Sequence, residues 1–335
     1  MHFDPKITPW TIDQTKFPSP GSLREQMKFL VRYAVLAPSS HNTQPWLFQL
    51  HDDAVDLRID HSRWLKVADA DERELHISVG CALENLLVAA EHFGLGHAAV
   101  LLPDRSDPLL AAKIRISATG STAPYRDDVL FDMLSVRHTN HGRYDGRPLP
   151  DHVHRRLLAS CAEPEIVVHL TDDPLIKQSV DKLAIKADAI QFARPEYREE
   201  LSYWIGQGVF GTSWLMSKLG QFAVSHFNLG ASMAQQDSEL LNSSPVFGLI
   251  ASADNDREQQ ILAGQVYQRI SLIAASHGIW CQPISHLTQV PEIKQELSMA
   301  APEGGVHPQL PFRMGFAAAE KQHTPRRPLD EVLVS

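Results

Sequence analysis

Residues 34–50 read AVLAPSSHNTQPWLFQL. Pro38 stops a helix, because its ring blocks the preceding turn and carries no N–H. Ser39, Ser40, His41, Asn42, Thr43 and Gln44 then set six hydrogen-bonding side chains on one short connection. Pro45-Trp46 closes it, and Trp46, Leu47, Phe48 and Leu50 enter an apolar strand. Loops carry function when a rigid scaffold aims them; the bland alternative is only a polar helix-to-strand loop. Three more stretches hold useful groups. Arg137-His138-Thr139-Asn140 and the tail Arg326-Arg327 bring the guanidinium and hydroxyl donors that a phosphate wants, although each by itself also fits solvated charge. Gln282-Pro283-Ile284-Ser285 ends an apolar run and by itself reads as an ordinary strand end.

Other signals are weaker. Gly206-Gln207-Gly208-Val209-Phe210-Gly211 matches G-x-G-x-x-G, but Leu201–Ile205 before it continues a charged helical stretch, where a dinucleotide fingerprint needs a strand. The pairs His138/His141 and His152/His154 come without a carboxylate or cysteine set at a ligand spacing. Ser39 and Ser40 lack the G-x-S-x-G elbow of a hydrolase nucleophile. No metal is expected.

The elements that would position these groups can be read from periodicity. Ser22-Leu23-Arg24-Glu25 is a capping box, and Leu23, Met27, Leu30, Val31, Ala34 and Val35 recur at helical spacing, so 22–37 is a helix feeding the polar turn. Strands are expected at 46–50, 55–60, 97–102 and 112–118, with a long helix over 71–93 ending at glycine. The second half reads as helices near 126–136, 150–161 and 174–191, a strand at 165–170, then strand 245–252, helix 256–277, strand 279–284, a short helix at 290–298 and strand 311–318. A shift of 184 positions lays Arg73-Glu74 on Arg257-Glu258, Ile77 on Ile261, Gly80 on Gly264, Ala90 on Ala274 and Gly94 on Gly278. Such a repeat suggests a duplicated module and a fused dimer.

The chain has 335 residues, 43% hydrophobic and 21% charged, with a net charge of −9. That is the composition of a soluble globular protein, and it argues against a nucleic-acid or anionic-membrane partner, both of which need a basic surface. No apolar run approaches the roughly 18 residues of a spanning helix. The N-terminus lacks the basic-then-apolar order of a signal peptide. Cys81, Cys161 and Cys281 are odd in number and far apart, as expected of reduced thiols in the cytoplasm.

Pro38-Ser39-Ser40-x-Asn42-x-Gln44-Pro45-Trp46 resembles the signature turn of the FMN-dependent nitroreductase family, which reaches across a dimer interface to the flavin ring. The resemblance implies a nitroreductase-like α+β fold. It would comprise two fused modules, 1–122 and 123–335, each with a mixed, mainly antiparallel sheet packed on helices. It implies FMN, one per chain, with Ser39, Ser40, Asn42 and Gln44 at the ring. Arg137, His138 and Thr139 resemble the family's phosphate-binding run, and Arg326, with Arg327 as second choice, its C-terminal clamp. Gln282, Pro283, Ile284 and Ser285 match the backbone laid against the central ring. The family more often has an acidic residue and a glycine at Ser285 and His286. No catalytic side chain is needed, because the flavin's N5 is the reactive centre.

Two functions follow from the likeness. One is an oxidoreductase passing a hydride from NAD(P)H to FMN and on to a nitro or quinone-like acceptor. The other is a flavin-sequestering protein, resembling a fused subgroup in which a lid, here 196–244, blocks the nicotinamide. A fold that has lost its cofactor and serves as an interaction module is a distant third. The chain would act as a monomer with an internal pseudo-dimer, or as a homodimer, on small molecules.

Overall fold

A computed structural model describes residues 8–209, 235, 238–300, 306–319 and 323–335. Of the segment 196–244 expected as a lid, residues 210–234, 236 and 237 lie outside the described residues.

Helix α1 (Leu23–Ala34) starts at the capping box, with both of its reciprocal bonds between Ser22 and Glu25 in place. It buries Met27, Leu30, Val31 and Ala34 and runs into the polar turn. Strands β1 (Trp46–Leu50) and β2 (Ala54–Ile59) pair antiparallel. After helix α2 (Arg73–His92), strands β3 (Gly96–Leu101) and β4 (Leu110–Ser117) extend this first sheet. Helices α3 (Asp128–Met133) and α4 (Asp151–Ala159) lead to β5 (Ile166–Thr171), then to α5 (Pro174–Ala193) and α6 (Pro195–Gly206). Strand β6 (Val246–Ser252), helix α7 (Arg257–Ser276), strand β7 (Ile279–Pro283), the short helix α8 (His286–Gln289) and helix α9 (Pro291–Ala300) precede β8 (His307–Phe316). The second sheet is antiparallel throughout, in the order β5-β6-β8-β7. This is an α+β architecture of two mainly antiparallel sheets packed on helices.

Strand β8 starts four residues earlier than its sequence suggests, at His307 rather than 311. Pro308 and Pro311 cannot donate to a ladder and so mask the strand; the register shift at Ile250/Ala251 accommodates them. The chain then returns to the first sheet. After a last helical turn, α10 (Leu329–Val332), residues Leu333–Val334 form β9, parallel to β1. The tail bearing Arg326 and Arg327 is thus tied to the signature turn's own sheet.

Helices α2 and α7 cross at the centre and are buried almost all round, as expected of core helices. Under the 184-residue shift their limits coincide, and both end at a left-handed glycine, Gly94 (φ 73°) and Gly278 (φ 70°), in the manner of a helix C-terminus. At the crossing a Cβ on Gly80 would lie 2.0 Å from the Ile261 carbonyl oxygen, and one on Gly264 would lie 2.0 Å from that of Ile77. Since Ile77 and Ile261 are repeat mates, the contact has the reciprocity of a two-fold interface.

Beside the crossing, Glu84 is fully buried. It accepts from Arg126 (Nε 2.7 Å, Nη2 2.9 Å), Arg269 (Nε 2.9 Å, Nη2 3.2 Å) and Gln265 (3.1 Å). Arg126 also pairs with Glu91 and Arg269 with Glu163, each at 2.9 Å. Burial opposes ionisation of Glu84, but the two guanidinium groups outweigh it and hold the carboxyl well below its ordinary range. A depressed folded-state value stabilises above the unfolded carboxyl's pKa, about 4.3, and that stabilisation is lost as pH falls. Glu84→Gln is therefore expected to cost about 3–5 kcal/mol of unfolding free energy and to flatten the acid limb below about pH 4.3. Denaturant unfolding of both proteins across pH 3–7 checks this; an unchanged stability at pH 7 would contradict it.

Candidate functional site

The turn between α1 and β1 is held in a costly backbone. His41, Asn42 and Gln44 have φ of 47°, 52° and 53°, the left-handed region that non-glycine residues seldom adopt. Local bonds fix it: Asn42 N–H donates to Ser39 O (2.9 Å), Thr43 N–H to Ser40 O (3.0 Å) and Gln44 N–H to Ser39 Oγ (2.8 Å). The tail fixes it too. Asn42 Nδ2 donates to Pro325 O (2.9 Å), and Arg327 N–H donates to Gln44 Oε1 (2.7 Å). Backbone strain of this kind collects at functional sites, where the surroundings over-determine it.

Behind the turn lies a cavity of about 370 Å³, within the usual range for a small-molecule or cofactor site. Both halves of the chain line it. The first half gives Ser39, Ser40 and Asn42 from the turn and a stripe of α2, from Arg73 and Glu74 through Ser78 to Cys81; the second half gives Arg137, His138 and Thr139, together with Gln282, Pro283 and Ser285. Arg326 comes from the tail and Trp10 from the N-terminal arm. Ten of the thirteen residues singled out from sequence therefore share one cavity wall. Gln44, Ile284 and Arg327 do not line it. Gln44 links turn to tail. Ile284 donates its N–H to Pro311 O (2.8 Å) and turns its side chain into a separate apolar cluster. Arg327 pairs with Asp60 at 2.9 Å.

The basic segment is positioned by two elements. Arg137 N–H caps α3 through Met133 O (2.8 Å), and Thr139 bridges to Cys281 alongside β7. Arg137 and Arg326 are each only 3% exposed. Both direct Nη2 at the Leu36 carbonyl oxygen, at 3.4 and 3.2 Å. Arg326 also donates to Asn42 Oδ1 (2.9 Å) and Thr324 Oγ1 (2.7 Å), and rests on the Trp10 ring 4.7 Å away. The Nε atoms of both arginines are buried without a hydrogen-bond partner. Among the described residues neither forms an ion pair with a carboxylate, and burial lowers the pKa of each, with Arg137 adding like-charge repulsion on Arg326. Two such cations are expensive unless an anion joins them.

Elsewhere in the cavity Glu74 is fully engaged. It accepts from Ser40 Oγ, from Arg73 Nη2 at 3.0 Å and from Gln289 Nε2 at 2.9 Å. Burial pushes the Cys81 thiol up to about 12 and raises the Tyr267 phenol, so neither is a nucleophile at neutral pH. Among the described residues no His/Cys/Asp/Glu group could hold a metal ion, and no helix is long and apolar enough to cross a membrane.

Sequence reasoning missed several lining residues. Arg73, Glu74, Ser78 and Cys81 follow helical spacing on one face of α2, but Arg73-Glu74 read as part of the repeat. Phe192 on α5 and Tyr197 and Leu201 on α6 also line the cavity, and their spacing is that of ordinary core. Trp10 sits in a proline-flanked arm with no periodicity to betray it.

No protein-family model matches the chain. It is 26% identical over 333 residues, 95% of this chain and 93% of the other, to a Mycobacterium tuberculosis protein provisionally named NAD(P)H nitroreductase. A second protein of that organism with the same provisional name, acg, is 26% identical over 322 residues, covering 91% of this chain and 94% of its own. The probable NAD(P)H nitroreductase PigM of a Serratia species is 23% identical over 345 residues, 94% of each chain. Among solved structures, the FMN-dependent nitroreductase NfnB of Mycobacterium smegmatis aligns with a TM-score of 0.40 and 14% identity, over 60% of this chain and 96% of that one. The chain is similar to proteins named as NAD(P)H nitroreductases. The similarity to its relatives runs along nearly the whole chain.

A buried cation with no carboxylate partner destabilises the empty protein. Arg137→Met is therefore expected to raise the unfolding free energy of the ligand-free protein by about 1 kcal/mol or more. Thermal or denaturant unfolding reads this directly, and a marked loss of stability would contradict it.

Proposed function

We propose that this protein is an FMN-binding oxidoreductase of nitroreductase type, using NAD(P)H as donor and a nitro or quinone-like compound as acceptor. The observation that carries the proposal is the pair of buried arginines, Arg137 and Arg326, which line a two-sided cavity and, among the described residues, form no ion pair with a carboxylate. A phosphate dianion would satisfy both charges and the orphaned Nε atoms at once. Thr139 would add a hydroxyl. Ser39, Ser40 and Asn42 would meet the ring from the first half, and Gln282, Pro283 and Ser285 from the second. Bound there, FMN would supply the hydride chemistry, and the protein would bind, orient and exclude water. The names of the relatives point the same way.

One composite site per chain follows, because the strained turn belongs to the first half and the basic run and wall to the second. The crossing of α2 and α7 would then be an internal pseudo-dimer interface, with modules at 1–122 and 123–335 and the tail returning across it. No second chain is needed to complete the site. Three free thiols, Cys81, Cys161 and Cys281, fit a reducing cytoplasm.

A sequestering role is the second reading, and one contact favours it. Helix α6 is fastened over the cavity onto the first half: Glu200 accepts from the Val67 and Ala68 amides at 3.0 and 2.9 Å, and Trp204 packs with Leu65 and Ala68. A fixed cover would keep the nicotinamide off the ring.

Anaerobic reduction separates the two. Bleaching of the yellow protein by NADH or NADPH, with reoxidation by a quinone, is expected for the enzyme. Bleaching by dithionite alone indicates sequestration, and a colourless protein that takes up no FMN would overturn both. Arg137→Ala is expected to weaken FMN binding by about 1.5–3 kcal/mol, the worth of a hydrogen bond to a charged group. Unchanged flavin affinity in that variant would show the phosphate to be elsewhere.

A further inference from the structure

A chain of hydrogen bonds runs along the cavity wall from the strained turn to helix α5. Ser40 Oγ and Arg73 Nη2 (3.0 Å) donate to the Glu74 carboxylate. Gln289 Nε2 on α8 donates to the same carboxylate at 2.9 Å, and Gln191 Nε2 on α5 donates to Gln289 Oε1 at 2.7 Å. Ser40, Glu74, Gln289 and Gln191 all line the cavity.

The direction of each bond is forced. A carboxylate paired with a guanidinium only accepts, and Glu74 is so paired with Arg73. Gln289 must therefore turn its NH2 group to Glu74, which leaves its Oε1 for Gln191. Gln191 must in turn present its own NH2 to Gln289, because the reverse orientation would set two amide oxygens face to face. Which way an amide points is often open; here one carboxylate decides it for both. The chain ends on Gln191 Oε1, which is buried with no hydrogen-bond partner. Gln191 is 2% exposed, so bulk water does not supply one. A buried acceptor left alone is costly, and native proteins hold few of them.

The surroundings indicate what would complete it. Phe192 from α5 and Tyr197 and Leu201 from α6 line the same cavity, and the Phe192 and Tyr197 rings meet edge to face with centroids 5.5 Å apart. Walls of this kind take a flat ring. The missing partner is a donor. A nitro or quinone oxygen cannot fill that place, since it has no hydrogen to give.

We infer that Gln191 Oε1 is the specificity-determining contact of a ligand subsite formed by α5, α6 and α8, which takes a flat aromatic compound carrying an N–H or O–H donor apart from its reducible group. The donor seats on Gln191 and orients the ring. The inference deepens the reading above by naming the class of acceptor, and rests on it only in calling that ligand the acceptor; the contact itself needs no flavin.

The test is equilibrium binding of 4-nitrobenzamide and 4-nitroacetophenone, which differ only in an NH2 group exchanged for a methyl. Flavin-free and FMN-loaded protein are each titrated by calorimetry. Wild type in both states is expected to bind the amide about tenfold tighter than the ketone. Gln191→Leu, which removes the acceptor, is expected to bring that ratio close to one. Equal affinities in wild type, no binding of either compound, or a preference that survives in Gln191→Leu would overturn the inference. So would a preference seen only without flavin, because the ring N–H of the flavin would then occupy the oxygen. Should the variant not fold, the wild-type ratio decides alone, since the two compounds differ only in the donor. If the protein takes up no FMN, the cofactor reading fails, while the ratio in the flavin-free protein still decides this one.

Discussion

The close crossing of α2 and α7 sets the geometry of everything else. Two glycines let the backbones touch where any Cβ would clash with a carbonyl. The separation of the halves is thereby fixed, and so is the width of the cavity that α2 helps to wall. The two flanks of the crossing differ. On one side Glu84 meets Arg269 in an ionic cluster. On the repeat-related side the same positions hold Asn85 and Gln268, joined by a neutral 2.6 Å amide bond. Positions related by the 184-residue shift thus carry unlike side-chain chemistry on the two flanks.

Two pairs of buried arginines have surroundings that differ in kind. Arg126 and Arg269 are surrounded by Glu84, Glu91 and Glu163. Their charge is compensated inside the protein, and they hold the halves together. Arg137 and Arg326 share only neutral oxygens. They cost stability in the empty protein, and the left-handed turn beside them costs more. Groups that are expensive alone and cheap with a partner are what a binding site is made of.

Much of this was legible in the sequence. The elements around the cavity emerged with limits correct to a few residues, because α1 and β1 carry plain periodicities and clear stop signals. The repeat was legible because both long helices kept the same length and the same glycines. The proline-interrupted start of β8 and the two-residue β9 were not, since neither offers a pattern to count. The gathering of Ser39, Arg137 and Arg326 at one cavity followed from the motif. Trp10 could not be found that way: its stack on His323, between an irregular arm and an irregular tail, depends on the tertiary path alone. Arg327 shows the complementary error. It neighbours Arg326 in sequence, yet it points at Asp60, because adjacent residues of an extended tail face opposite ways.

The central claim is that an uncompensated guanidinium pair grips a phosphate on a flavin bridging both halves. Equilibrium binding of FMN and of riboflavin to the same flavin-free protein tests it most directly, since the two ligands differ only in that phosphate. The account predicts FMN to bind tighter by about 3 kcal/mol or more, two orders of magnitude in affinity. Equal affinities for the two flavins would contradict it.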